Sequence, residues 1–404
     1  MHQTPAAYRA KWILPVARPP IANGVVYCRS GKIEQIGEHI DLPNAQIHDL
    51  GDVAIIPGLV NAHTHLEFSD LDQPLGDPSL GFPKWIEAVI SHRHTHSSPA
   101  DKPTAIKKGI SESLQSGVVA VGEIATTPWT HESYDERIHG IVFHEQLGNN
   151  PLETHSKTSE IETRVGDLAN PNWQAGISPH APYSTSLNLF QSLVSLAANN
   201  NTRVAMHLAE TLEEVEFIET GKGPFAEMLE QLGVPFSRSG QIKTEDYLKQ
   251  LAAVNALIIH GNFLNIDELE MIAGFDNQSI VFCPRTHKYF GHPEYPLRTM
   301  LDLGINVAVG TDSRASNPDL NLFAELKQIF ATKNDIRPEE ILRMGTQSGA
   351  SALGCETLFG GLAPGQSGQF CVVSQLPNPD KPLESIFAPE SRCQPVSVYE
   401  NSAS

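Results

Sequence analysis

The segment Pro57-Gly58-Leu59-Val60-Asn61-Ala62-His63-Thr64-His65-Leu66-Glu67-Phe68-Ser69 carries an apolar run, Val53 to Val60, into two histidines spaced i, i+2. In an extended strand alternate side chains share a face, so both imidazoles can reach one metal ion. The pair alone is a weak signal, because 17 histidines make chance spacings common. Its position is the stronger one, at the end of a buried-strand pattern and just past a Pro-Gly turn.

Working outward, eight apolar, β-prone segments appear: Ala54 to Ala62, Gly117 to Ile124, Gly140 to Glu145, Ala175 to Ser178, Val204 to Leu208, Ala256 to His260, Ser279 to Pro284 and Ile305 to Gly310. Most are separated by stretches long enough for a helix. Strand-helix alternation with buried strands implies a parallel sheet, and eight units suggest a closed (β/α)8, TIM-like barrel. Two helices are read in detail. Pro83 suits a first helical residue, followed by Trp85, Ile86, Val89 and Ile90 on one face, and Pro318 would open another with Leu322, Phe323, Leu326 and Phe330. Both stripes are expected to pack on the barrel.

Outside this region, Lys11 to Val16, Gly24 to Cys28 and Lys32 to Gly37 read as short strands, and Gly365 to Val373 as a turn and a strand. Neither end can bury a core alone. The expectation is one small β-sandwich domain from both termini, residues 1–56 with 355–404, and a barrel over 57–354. The Pro- and Ser-rich tail beyond about Leu376 is expected to be irregular.

A net charge of −19 over 404 residues disfavours nucleic acid and anionic membrane surfaces as partners. A small-molecule ligand is compatible with it. Cys28, Cys283, Cys355, Cys371 and Cys393 are scattered and lack a CxxC spacing, so neither a disulfide framework nor a zinc knuckle is indicated and a cytoplasmic setting is expected. No apolar run approaches a membrane span.

In a parallel barrel the chemistry belongs at the carboxyl ends of the strands. There the sequence gathers His63 and His65, Glu123, His144 and Glu145, His180, His207 and Glu210, His260, Arg285 and His287, and Asp312, in strand order. His63, His65, His207 and Asp312 offer three imidazoles and a carboxylate to one divalent metal, zinc or iron(II), with a position left for water. A bound water turns nucleophilic near neutral pH, its pKa lowered towards ~7. Glu210, three residues after His207, is the candidate proton shuttle, with a helix-opening glutamate as the alternative. His260 could ligate the metal or hydrogen-bond the water, the second being the expected role, and Asp312 is expected to take the water's proton, with a purely structural aspartate after Gly310 as the alternative. Glu67, His180, Arg285 and His287 are candidate substrate contacts, and Glu123 a candidate acceptor for a ligand histidine. His92, His94 and His96 read better as a solvated helix end than as a second metal site. The roles of Glu123, His144 and these three stay open.

The stretch Pro57 to His65, His207-Leu208-Ala209-Glu210, His260-Gly261 and Gly310-Thr311-Asp312-Ser313 resemble the amidohydrolase superfamily, in its branch of mononuclear metal-dependent deaminases and chlorohydrolases. The resemblance implies a distorted barrel with His63, His65, His207 and Asp312 on one metal and Glu210 and His260 as catalytic partners. Strand four ends without the lysine that bridges two metals in binuclear members. His63 to Ser69, Ser178 to Ser184 and Cys283 to His287 are similar to the aminodeoxyfutalosine deaminase group. That likeness implies release of ammonia from an aminopurine, 6-amino-6-deoxyfutalosine or a related adenine nucleoside. Hydrolysis of a cyclic amide or of another C–N or C–Cl bond, and a non-catalytic binding protein, are the other readings. A homodimer is an expectation by analogy alone.

Overall fold

A computed structural model describes residues 5–96, 101–167, 170–236 and 242–397. Eight strands form one sheet in sequential order: β1 (Leu59–Thr64), β2 (Val118–Ala125), β3 (His139–Gln146), β4 (Trp173–Pro179), β5 (Val204–Leu208), β6 (Ala256–His260), β7 (Gln278–Phe282) and β8 (Asn306–Val309). Every residue of β1, β2, β5 and β6 is buried, as expected for strands covered on both faces. The sheet closes on itself through a parallel bridge between Thr64 and Asp312. The N–H groups of Thr311 and Asp312 both donate to the His63 carbonyl, at 3.0 and 3.1 Å. Helices link most successive strands, giving the (β/α)8 barrel.

The chain forms two compact units, residues 1–62 with 111–121 and 321–404, and residues 63–110 with 122–320. In the first, segments from both ends of the chain build a seven-stranded sheet, which includes Ala6–Ile13, Ile21–Arg29, Ala54–Pro57, Phe370–Ser374 and Arg392–Pro395. Alternation along Ile21–Arg29 sends Val25 and Tyr27 to one face and Val26 and Cys28 to the other, each into its own apolar cluster. The five cysteines are free thiols. Among the described residues, no helix is long and apolar enough to cross a membrane.

Three local expectations are corrected. The run Ala54 to Ala62 is two strands: Ala54–Pro57 pairs with residues 370–373 in the terminal sheet, and Leu59–Thr64 opens the barrel. Gly58 makes the transfer, where a Cβ would lie 2.4 Å from Val119 and 2.8 Å from the Gln369 carbonyl. Pro318 does not start its helix. Asn321 does, its side chain accepting the Ala324 N–H at 3.1 Å ahead of Leu322–Thr332 and satisfying an orphan donor that a proline leaves open. The tail is not irregular throughout, since it holds a short helix, Pro382–Ser385, and a strand, Arg392–Pro395, paired to residues 371–374. Residues 398–404 lie outside the described residues.

At the closure, a Cβ on Gly310 would lie 2.8 Å from both the Cβ and the carbonyl oxygen of His63. Gly310→Ala should therefore destabilise the protein by about 1–3 kcal/mol, as overpacking does. Gly166→Ala, where nothing stands in the way, should stay within about 0.5 kcal/mol in the same urea titration.

Candidate metal centre

β1 carries His63 and His65 onto one face at its carboxyl end, and β5, β6 and the turn after β8 add His207, His260 and Asp312. The ring centre of His63 lies 4.9 Å from that of His65, 5.0 Å from His207 and 5.7 Å from His260. One nitrogen each from His63, His207 and His260 fall within 4.8 Å of one another, as do His63, His65 and an Asp312 oxygen. Asp312 Oδ1 stands 3.6 Å from His63 Nε2 and 3.7 Å from His65 Nε2.

These groups are all but removed from water, and burial decides their charge. It pushes His65, His207 and His260 well below the usual imidazole range, which leaves neutral rings with a lone pair to offer. Burial opposes charge on Asp312 as well, but the adjacent His63 imidazole outweighs it, and the carboxyl lies well below the ordinary range. Its Oδ1 also accepts the Ser313 N–H at 2.7 Å and its Oδ2 the Ser316 hydroxyl at 3.0 Å. His207 Nδ1 donates to the His180 carbonyl at 3.0 Å, a bond that leaves Nε2 as the lone-pair nitrogen. His65 Nδ1 is buried without a hydrogen-bond partner among the described residues. Neutral nitrogens around one anionic oxygen are the donor set of a divalent cation, and the residues fit one.

Glu210 Oε1 faces His260 Nε2 at 3.4 Å. Burial, then the neighbouring Asp312 and Glu214, raise its carboxyl well above the ordinary range, so it holds a proton. Its backbone is clamped on both sides. Glu214, fully buried, accepts the N–H groups of Ala209 and Glu210 with its two oxygens, each at 2.9 Å, and Asn262 donates to the Glu210 carbonyl at 3.0 Å. Ala209, His260 and Asp312 all take left-handed backbone angles, φ +53°, +68° and +56°. Such conformations are uncommon away from glycine, and three meet at these strand ends.

His65, His180, His207, Glu210, His260 and Asp312 line a common cavity, with Glu145 beside His180. His63 lies beneath them, fully buried. Three expected contacts are elsewhere. Glu67 is turned away from the cavity, against Arg93 at 2.5 Å, Lys102 at 3.5 Å and the Thr126 hydroxyl at 3.1 Å. Arg285 bonds Asp319 at 2.7 Å. His287 packs edge-on against Phe282 and Tyr295. Glu123 accepts the Leu66 N–H at 2.9 Å, so it holds the backbone next to His65 rather than its ring. His144 alternates with Glu145 on β3 and is buried, its pKa pushed down to about 4 by desolvation and then by Arg164. His92 is half-buried and His94 exposed on the helix Phe82–His96; the side chain of His96 lies outside the described residues.

Two features went unread in the sequence. Thr211-Leu212-Glu213-Glu214 has the form of a capping box, and Thr211 does cap Glu214 at 3.1 Å, yet the Glu214 carboxylate serves Ala209 and Glu210 instead of the cap. The stripe Trp85, Ile86, Val89 and Ile90 was expected on the barrel but lines the cavity, with Arg93 continuing it. Periodicity marks an apolar face without saying what it meets.

A family model described as the amidohydrolase family matches residues 54–401. The chain is 30% identical over 354 residues to a 5-methylthioadenosine/S-adenosylhomocysteine deaminase of Pyrococcus furiosus, covering 83% of this chain and 79% of that one. It is 26% identical over 325 residues to an aminodeoxyfutalosine deaminase of Nitratiruptor, covering 78% of each. The fold is similar to that of Helicobacter pylori aminofutalosine deaminase solved with methylthio-coformycin, at a TM-score of 0.84 and 23% identity over 95% of this chain and 96% of the other.

Because both Glu214 oxygens are used, Glu214→Gln sets an amide NH2 against one of the two N–H groups. It should cost about 1–3 kcal/mol in denaturant unfolding, while the exposed Glu219→Gln should cost under about 0.5 kcal/mol.

Proposed function

The chain belongs to the amidohydrolase family, and from that premise we propose that it is a metal-dependent aminohydrolase that releases ammonia from an aminopurine, 6-amino-6-deoxyfutalosine or a related adenine nucleoside. The observation that carries this reading is a buried Glu210 that lines the cavity beside the donor cluster, 3.4 Å from His260.

His63, His65, His207 and Asp312 would hold one divalent ion, zinc by the mix of nitrogen and oxygen donors, with iron(II) as the alternative. When bound, it supplies the acidity that brings the pKa of a coordinated water to ~7. The chain's own groups then divide the proton transfers. Glu210 gives its proton to a ring nitrogen, which makes the amine-bearing carbon electrophilic. Asp312, held ionised, accepts a proton from the attacking water, and His260 orients that water through Nε2. As the C–O bond forms the carbon turns tetrahedral; the C–N bond then breaks as Asp312 passes the proton it took to the amine, which leaves as ammonia, while the new hydroxyl gives its proton back to Glu210 and the ring keeps a carbonyl. His180 presents a ring to the substrate edge: burial, then Arg93 and His63, push its pKa down to about 3, and its Nδ1 is tied to the Ser184 hydroxyl at 2.5 Å. The scattered cysteines support a cytoplasmic setting.

Ammonia release from adenosine, methylthioadenosine, 6-amino-6-deoxyfutalosine, guanine and cytosine, with metal quantified on the same sample, tests the reading. Activity on an adenine nucleoside with one metal per chain is the expected result; silence from fully metallated protein would redirect it to amide or other C–N hydrolysis. Glu210→Gln should keep its metal and lose about 10²–10⁴-fold in turnover. Stripping the ion with a chelator should both stop ammonia release and lower the thermal midpoint, because a ligand that binds only the folded state stabilises it.

A further inference from the structure

Glu145, near the end of β3, is the carboxyl on the cavity wall that the proton transfers above leave unused. Its side chain is 1% exposed. Oε2 accepts the Thr126 hydroxyl at 2.5 Å, while Oε1 is buried with no hydrogen-bond partner among the described residues. Arg93 does not pair with it, since its guanidinium is held by Glu67 at 2.5 Å and reaches Thr126 at 3.0 Å. A carboxylate oxygen shut from water and left unpaired is costly, and in native structures such an atom marks a place for an ion, a water or a reacting group.

What Oε1 faces is an imidazole nitrogen, His180 Nε2, at 3.8 Å. Hydrogen-bond accounting sets the state of that ring. Ser184 Oγ has one proton and two neighbours, the Ala181 carbonyl at 3.1 Å, which only accepts, and His180 Nδ1 at 2.5 Å. Both are satisfied when the hydroxyl donates to the carbonyl and His180 Nδ1–H donates to the hydroxyl. Nε2 then carries the lone pair. An anionic oxygen and a nitrogen lone pair that face each other without a proton between them repel, and a cation set against both turns the repulsion into attraction.

The spacing suits one. Zinc takes nitrogen and oxygen ligands at ~2.0–2.2 Å, which puts two of them ~3.4 Å apart at a tetrahedral angle. Asp312 Oδ1 stands 3.6 Å from His63 Nε2 and 3.7 Å from His65 Nε2, so the gap between Glu145 and His180 is almost that of the primary donors. A nitrogen of His207 comes within 4.8 Å of both groups and borders the two clusters.

We propose that Glu145 Oε1 and His180 Nε2 form a second divalent-cation site at the ends of β3 and β4, and that an ion held there bars the substrate. His207 donates Nδ1 to the His180 carbonyl and keeps Nε2 for the first ion, so the second site has two protein ligands against four. It therefore fills only at higher metal concentration, with water in its other positions. The site rests on the donor geometry alone. Its effect on turnover rests on the deaminase reading, in which His180 meets the substrate: one imidazole nitrogen cannot serve ion and substrate together, so excess metal inhibits competitively.

The test titrates protein holding one zinc per chain with zinc chloride by calorimetry, beside Glu145→Gln, with circular dichroism to show that both are folded. The wild-type protein should take up further zinc in a phase that Glu145→Gln weakens by about tenfold or more, at least the loss found for residues that only support a ligand. His180→Gln is the second variant should the first not fold. In the ammonia assay the same zinc should raise KM and leave kcat unchanged, and Glu145→Gln should need about ten times more zinc for the same rise. Zinc uptake that stops at one ion overturns the proposal. So does a further phase unchanged in the folded variants, the result that binding to exposed histidines such as His94 would give. A fall in kcat at constant KM overturns the competition with substrate. A phase that depends on Glu145, without ammonia from any nucleoside, upholds the cation site and sinks the deaminase reading.

Discussion

Desolvation of the strand ends is the constraint on which the rest depends. Four imidazoles and two carboxylates meet with side chains no more than 10% exposed. Charging such groups away from water is costly, so each adopts the protonation state its neighbours allow. His65, His207 and His260 become neutral donors, Asp312 keeps its charge through its hydrogen bonds, and the Glu210 carboxyl is held well above the ordinary range. The same burial thus produces a ligand set and, beside it, an acid. In water the carboxylates of Asp312 and Glu210 would differ little; here a few ångströms separate a base from an acid.

Holding those groups together falls to the backbone. The His63 carbonyl receives both Thr311 and Asp312, which closes the barrel and fixes the distance between the β1 histidines and the β8 carboxylate in one step. Glu214 and Asn262 grip the main chain of Glu210, and the Tyr295 hydroxyl donates to the His260 carbonyl at 2.9 Å. The left-handed angles of Ala209, His260 and Asp312 are tolerated because these contacts over-determine them. A site whose side chains must reach one point needs its supporting shell as rigid as the donors themselves.

Around this core, polarity is graded. The end of the cavity near the donors is hydrogen-bonding and the far end is apolar, while Arg93 on the wall reaches back to the buried Glu67, which Lys102 and Thr126 also contact. Burial raises Glu123 well above the ordinary carboxyl range, and its bond from Leu66 is what keeps the turn after His65 in place. These contacts explain how Glu67, two residues from His65, can be buried without facing the cavity.

The sequence by itself determined the barrel, the paired termini and the cluster of donors, because those follow from period and order: buried strands read as apolar runs, and each ended in a titratable residue. His63, His65, His207, Glu210, His260 and Asp312 could be named in advance on that ground. Only the tertiary structure decided which polar residues face the cavity. Glu67, Arg285 and His287 sit at strand ends as legibly as His180, yet each is directed elsewhere by a partner remote in sequence, Arg93, Asp319 and Tyr295 among them. It also decided that the stripe from Trp85 to Ile90 lines a cavity, and that Glu214 supports Glu210. Period and residue type are local properties of a chain; what a face meets is set by elements folded against it from far along the sequence.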